Sequence, residues 1–387
     1  MQMKDSNFIR VVIAGDFCHR GRIEKLLHES LIKKKEILKK TKRIFEQSDL
    51  AIVNLENTLT ENINRIQKNG SCLKAKPDMI HLHNFLGVNL VTLANNHVRD
   101  FGDQGVIDTL SLCKKHHIDT IGAGNNSQEA RKIYYRCIKG RTLAVINVAE
   151  NEFANASPNR AGANPLDLIS LIADIRDAKS FAEHVLLIIH GGLEYVHYPS
   201  PQSVRVMRFL AEQGPTAIIR HHPHYVQGIE VWKGVPIFYS LGNFIFDTPD
   251  KTRSGWFEGI LVALSINPAD SCSYEVHPFE QCKNKPVIRL LEGTEKKSFL
   301  ERLDRYSKVI LDSEKHKQKW QAILNERRQV YLGMLTLPSH FLFRLFRKLK
   351  LIRYIKATKR KRLLWENYIR CEAHREVLLD ILETDSK

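Results

Sequence analysis

The stretch Asn89-Leu90-Val91-Thr92-Leu93-Ala94-Asn95-Asn96-His97-Val98-Arg99-Asp100-Phe101-Gly102 is an apolar, β-branched run. It stops abruptly at two amides, a histidine, an arginine, a carboxylate and a glycine. A buried strand with that ending delivers polar side chains to the carboxyl edge of a sheet, where open α/β sheets hold their ligands. Asparagine also forms ordinary turns, so a single such ending decides little. The pattern recurs. Apolar runs at residues 8–14, 50–54, 185–189 and 217–219 are followed by Asp16, by Glu56, by His190, and by His222 with His224.

Between these runs the sequence reads as helix, notably at 23–47, 104–115 and 203–213. Residues 132–138 and 142–148 read as a hairpin turning at Lys139-Gly140. Residues 61–76 form an excursion. Residues 150–167, rich in Asn, Ala, Ser, Pro and Gly, are long enough for a loop with a task, such as a lid. Strands at 235–240 and 259–266 follow. Alternating strands and helices and then successive strands predict a parallel sheet with antiparallel additions. From about residue 294 the chain turns helical and charged. The expected division is 1–291 and a helical, basic extension at 292–387.

The chain has 387 residues, with 59 Lys+Arg against 43 Asp+Glu and a net charge of +16. That charge favours anionic partners: nucleic acid, anionic lipid or a polyanionic substrate. The seven cysteines are scattered without a C-x-x-C pair, against a zinc knuckle or disulfide framework and suited to a reducing compartment. The first residues lack the apolar core of a signal peptide, and no apolar run reaches the roughly 18 residues of a membrane span. The expected location is the cytoplasm, at the inner face of the membrane if the tail binds lipid. Residues 341–362 contain many Lys and Arg and no acid, with Leu342, Leu345, Phe346, Leu349 and Ile352 at helical spacing. Such a helix either packs on the main domain or lies on an anionic membrane.

Asp16, Glu56, Asn96, His190, His222 and His224 are hard oxygen and nitrogen donors, suited to Mn, Zn, Fe or Mg. Six such donors suffice for two divalent ions about 3.5–4 Å apart. The same residues carry a resemblance. Ala14-Gly15-Asp16, Asn54-Leu55-Glu56, Ala94-Asn95-Asn96-His97 with Asp100 and Gly102, and Gly122-Ala123-Gly124 come first. His190 with Gly192, Glu194 and Tyr195, then His221-His222-Pro223-His224 and Tyr239-Ser240-Leu241-Gly242-Asn243-Phe244 complete the series. In this order they resemble the CapA family, the bacterial capsule or poly-γ-glutamate biosynthesis group, within the calcineurin-like metallophosphoesterase superfamily. The likeness spans residues 8–290.

The resemblance implies a four-layer α/β/β/α sandwich with a two-metal centre. Asp16, Glu56, Asn96, His190, His222 and His224 would be metal ligands, with His221 an alternative to His222. His97 and Asp100 would be the acid and the group orienting it, and Arg220, Glu194 and Asn243 would meet substrate. Gly191 stands where the family usually has Trp, widening the pocket, and Arg220 stands where it has Gly. His19 falls three residues after Asp16, where the superfamily places a ligand two residues on. Three readings follow: metal-assisted hydrolysis of a phosphoester or γ-glutamyl amide, a metal-stabilised accessory protein binding an anionic polymer or membrane, and nucleic-acid binding. The last lacks any recognised module and is the least expected.

Overall fold

The computed structural model describes residues 7–26, 31–248, 254–267, 271–335 and 358–385. Its centre is the strand Ile9–Cys18, whose β-branched run alternates between two cores. Ile9, Val11 and Ile13 face one core, and Val12 and Ala14 face the other, as a two-residue period requires. On one side this strand pairs in parallel with Leu50–Leu55, followed by Leu90–Thr92 and Asp119–Ile121. On the other it pairs antiparallel with Glu258–Ile266, beyond which lie Cys272–Gln281 and Ile288–Leu290. In the second sheet Arg141–Ala149, His184–His190, Ala217–His221 and Val235–Phe238 are parallel, with antiparallel edges Tyr134–Ile138 and Ile229–Trp232.

The two sheets share the core of Ile9, Val11, Ile13, Leu50, Ile52, Leu90, Val145, Leu186, Ile188 and Ile219. Helices Leu31–Glu46, Ile80–Leu86 and Gly102–Lys115 cover the outer face of the first sheet. Helices Leu168–Phe181 and Pro201–Ala211 cover that of the second. The architecture is the expected four-layer α/β/β/α sandwich, parallel at its centre and extended antiparallel. Burying both faces of each sheet is why the parallel strands read as nearly continuous apolar runs.

The first strand does not stop at Gly15. A bulge shifts its register between Ala14 and Asp16, and the chain then pairs in parallel with Asn243–Phe246. A Cβ on Gly15 would lie 1.9 Å from the Gly242 carbonyl oxygen, so only glycine allows the approach.

The C-terminal part is helical: Gly293–Leu311, Ser313–Leu335, Lys359–Arg370 and Glu372–Asp385. The first of these sends Phe299 and Leu303 into the core between the sheets. The later ones build a separate core, in which Trp320, Leu324, Tyr331, Tyr368, Val377 and Ile381 pack on Leu193 and Val196 of the sandwich. Of the basic segment 341–362, residues 341–357 lie outside the described residues, and with them the five apolar side chains expected on one face. Among the described residues no helix is long and apolar enough to cross a membrane.

The last helix also docks through Glu376, which accepts hydrogen bonds from Ser200 Oγ and the Gln202 backbone. Burial pushes its carboxyl up to about 7 against those bonds. A folded value above the unfolded one means that folding binds a proton between them. The associated stability is present in full below the unfolded value of about 4.3 and is lost as pH rises through about 7. The loss is at most about 4 kcal/mol. Urea titrations at pH 5 and pH 8 should show the wild type losing stability that Glu376→Gln retains.

Candidate metal centre

The parallel strands of both sheets end at one edge of the sandwich, and backbone pairing fixes what meets there. Asp16 stands in register with Asn54 on one side and Asn243 on the other, and His190 with His221. Asn54 Nδ2 donates to Asp16 Oδ1 at 2.7 Å, and the His222 backbone N–H to Asp16 Oδ2 at 3.2 Å. His224 Nδ1 lies 3.3 Å from Asp16 Oδ2 and 2.9 Å from Asn243 Oδ1. His190 Nε2 lies 3.1 Å from Asn96 Oδ1, 3.1 Å from His222 Nδ1 and 3.7 Å from Glu56 Oε1. One donor atom each from Glu56, His222 and His224 falls within 4.8 Å of the others. Asp16, Glu56, Asn96, His190, His222 and His224 therefore share one cluster.

The turn that supplies the last two histidines is strained. His222 has φ 95° and His224 φ 58°, and Tyr195 opposite them has φ 62°. Each is a left-handed conformation that costs a non-glycine residue on the order of 1–3 kcal/mol and concentrates at functional sites. The electrostatics are equally uneven. Burial and the neighbouring Asp16 charge push the Glu56 carboxyl well above its ordinary range. Burial also raises Asp16, but the His224 hydrogen bond and the charges of His224 and His221 outweigh it and hold that carboxyl down. Burial lowers His190 far and His222 to about 3, whereas Glu56 and Asp16 raise His224 against its burial.

These residues suit divalent cations. Both carboxylate oxygens of Glu56 are buried with no hydrogen-bond donor among the described residues. A carboxylate in that position is costly unless a cation faces it. Both ring nitrogens of His221 are likewise buried and unpartnered, with Nδ1 3.8 Å from Asp16 Oδ1. The geometry nevertheless groups His222, not His221, with Glu56 and His224.

Beside the cluster, His97 Nδ1 and Asp100 Oδ2 lie 2.6 Å apart, and both residues are buried. The Leu73 backbone N–H donates to the same Asp100 oxygen at 2.6 Å. Asp100 Oδ1 receives Lys68 Nζ at 2.6 Å, and Lys68 also donates to the Asn96 carbonyl at 2.8 Å. Lys68 comes from the excursion at 61–76, whose polar, aperiodic sequence carries no sign of a buried ion pair. Removing the cation should leave Asp100 only partly compensated. Lys68→Met is expected to cost about 3 kcal/mol in chemical denaturation, and a change below about 1 kcal/mol would assign the pair no such role.

Of the expected substrate contacts, Arg220 is turned away from the cluster, and Asn243 lies at it but is taken up by His224. Arg220 and His221 are successive strand residues and point to opposite faces. The Arg220 guanidinium binds Glu150 Oε1 at 2.6 Å and Ser203 Oγ at 2.7 Å on the outer face. Asn243 is fully buried, with Oδ1 on His224 and Nδ2 donating to the Trp256 carbonyl, so it positions His224. Glu194 is brought to the cluster. Its Oε1 is 3.6 Å from His224 Nε2, and its side chain is 35% exposed.

Gly191 does not widen the pocket either. A Cβ there would lie 2.4 Å from Glu150 Cγ, so the Glu150 side chain already fills that space. His19 turns towards Asn57, 3.1 Å from Nδ1, and stacks on Phe17 with centroids 4.4 Å apart. The sequence reading gave Asn54 no role, yet its Nδ2 reaches both Asp16 and His190.

The family model described as bacterial capsule synthesis protein PGA_cap matches residues 10–248. The chain is 33% identical over 279 residues to the PGA biosynthesis protein CapA of Bacillus subtilis, covering 68% of this chain and 70% of that one. It is 26% identical over 239 residues to a probable polyglutamine synthesis accessory protein of Mycobacterium tuberculosis, covering 58% of this chain and 63% of that one. A solved structure of a putative 5'-nucleotidase from Staphylococcus aureus aligns with a TM-score of 0.45 at 15% identity, over 77% of this chain and 58% of that one. Because the family model takes in well over half of its residues, every strand end at the cluster among them, this chain belongs to the bacterial capsule synthesis protein family.

Proposed function

We propose that the chain is a metal-dependent hydrolase of capsule or poly-γ-glutamate polymer biosynthesis, acting on a phosphoester or a γ-glutamyl amide. The observation that carries this reading is Glu56, buried, without a hydrogen-bond donor, and faced by His190, His222 and His224. Asp16, Glu56, Asn96, His190, His222 and His224 would hold two divalent ions, drawn from Mn, Zn, Fe or Mg. When bound, such ions supply Lewis acidity and lower the pKa of water.

The chain's own groups would do the rest. His97 is held through Nδ1 by Asp100, which leaves Nε2 to carry a proton to the leaving group. Lys68 fixes Asp100, and Asn54 fixes Asp16 against His190. Glu194, beside His224 and partly exposed, is where an incoming substrate would pass. The partner proposed is an anionic substrate or polymer, in keeping with the net charge of +16. An anionic membrane surface, met through the basic segment 341–362, is proposed beside it, and nucleic acid is not. Sedimentation with anionic vesicles that salt reverses would support the membrane partner.

The word "accessory" in the name of the Mycobacterium tuberculosis relative favours a second reading, a metal-stabilised protein that binds polymer without turnover. A panel of phosphomonoester, phosphodiester and γ-glutamyl substrates with Mn²⁺ added separates the two. Turnover of any class supports the hydrolase. Full metal content with no turnover supports the accessory role.

A further inference from the structure

The helices beyond residue 292 lie outside the matched family segment, yet they pack on the turn that carries Glu194. Arg327 Nη2 donates to the Glu194 carbonyl at 3.0 Å. The neighbours of Glu194, Leu193 and Val196, are buried under Trp320, Leu324, Tyr331, Tyr368, Val377 and Ile381. The turn presenting Glu194 to His224 is therefore clamped from the C-terminal side.

A second clamp grips the start of the 150–167 loop. Glu372 accepts from the Asn151 backbone at 2.9 Å, and Cys371 Sγ lies 3.7 Å from Glu150 Oε2. Between the clamps stands His374. Tyr331 Oη holds its Nδ1 at 2.7 Å, which leaves Nε2 as the ring's remaining nitrogen. Tyr331 in turn stacks on Tyr368 with centroids 4.9 Å apart.

Apolar packing alone would seat these helices. It does not call for a guanidinium bound to the Glu194 carbonyl, or for a tyrosine-held imidazole in the same packed layer. We propose that the C-terminal helices form a wall of the metal site, with Arg327 and His374 receiving an anionic group of the substrate and Tyr331 positioning His374. The chemistry recognised is a phosphate or carboxylate oxygen, which a guanidinium and an imidazole Nε2–H bind by charge-assisted hydrogen bonds. This rests on the metal-centre reading above and adds to it the side from which the substrate is held.

The test uses the full chain, with inorganic phosphate as probe, titrated calorimetrically into Mn²⁺-loaded protein. Arg327→Gln and His374→Gln should each weaken phosphate binding about tenfold, the size of one charge-assisted hydrogen bond. Tyr331→Phe keeps the ring packing but releases His374, and should match His374→Gln. Mn²⁺ affinity should stay unchanged in all three, and each should stay folded, its melting temperature lowered by no more than one lost hydrogen bond accounts for. Retained phosphate affinity in an Arg327→Gln/His374→Gln double variant with Mn²⁺ bound would make the helices packing only, and so would a wild type that binds Mn²⁺ but no phosphate. A wild type that takes up no Mn²⁺ overturns the metal centre itself, and this wall with it.

Discussion

Glu56→Gln is expected to cost the protein its divalent cations while leaving it folded. The side chain is fully buried, and its two oxygens have no donor among the described residues. His190 and His224 approach only to 3.7 and 3.8 Å. An amide of the same shape keeps the packing but loses the charge that would face a cation. Outer-shell substitutions at metal sites cost about 10–100-fold in affinity, so loss of a carboxylate ligand itself should exceed about 100-fold. In metal-free protein the same change removes a buried ionisable group that has no hydrogen bond, so stability should hold or rise. Mn²⁺ titration and urea denaturation of both proteins measure the two effects. A Gln variant that binds Mn²⁺ like the wild type would remove Glu56 from the ligand set.

His97→Ala should behave differently. The ring contacts Asp100 and Lys68, and its place is set by the Asn95–Asp100 turn, where Asn95 Oδ1 accepts the His97 backbone N–H at 3.0 Å. Losing it should leave metal content intact and lower kcat by roughly 10²–10⁴-fold, the contribution of a general acid. Asp100→Asn should lose part of that range, because the ring stays but its orienting charge does not. Metal analysis alongside kinetics decides the point. Loss of metal in His97→Ala would make the histidine a ligand and not a proton carrier.

How much of this was legible depended on whether a residue's environment is local. The strand ends were legible because burial on both sheet faces forces continuous apolar runs, and Asp16, Glu56, His190, His222 and His224 follow those runs directly. The His97–Asp100 pair was legible because both belong to one turn. Lys68 was not, since its partner Asp100 lies in another element and its own stretch has no period. Arg220 is not legible either, because nearness to the histidines in sequence is not nearness in space: strand alternation sends it to the far face. The gap at Gly191 reads as an empty place in sequence, and only the fold shows Glu150 filling it. The strand Cys272–Gln281 escaped notice because Ser273, Tyr274 and Glu275 are exposed and leave no apolar run.

The Gly191, Arg220 and Glu150 arrangement also shows how an exchange at the site can be absorbed. Glycine gives Glu150 room, the guanidinium neutralises that carboxylate against its burial, and Cys371 of the C-terminal helices closes over it. Positions that the sequence offered as a wider, more cationic pocket instead join the sandwich to its helical extension.

The central claim, that buried strand ends build a two-cation centre, is tested most directly by elemental analysis of the purified full chain after equilibration with Mn²⁺ and removal of the free ion. The account predicts about two divalent ions per chain, falling below one in Glu56→Gln. A wild type that retains none, or a Glu56→Gln protein with undiminished content, would contradict it.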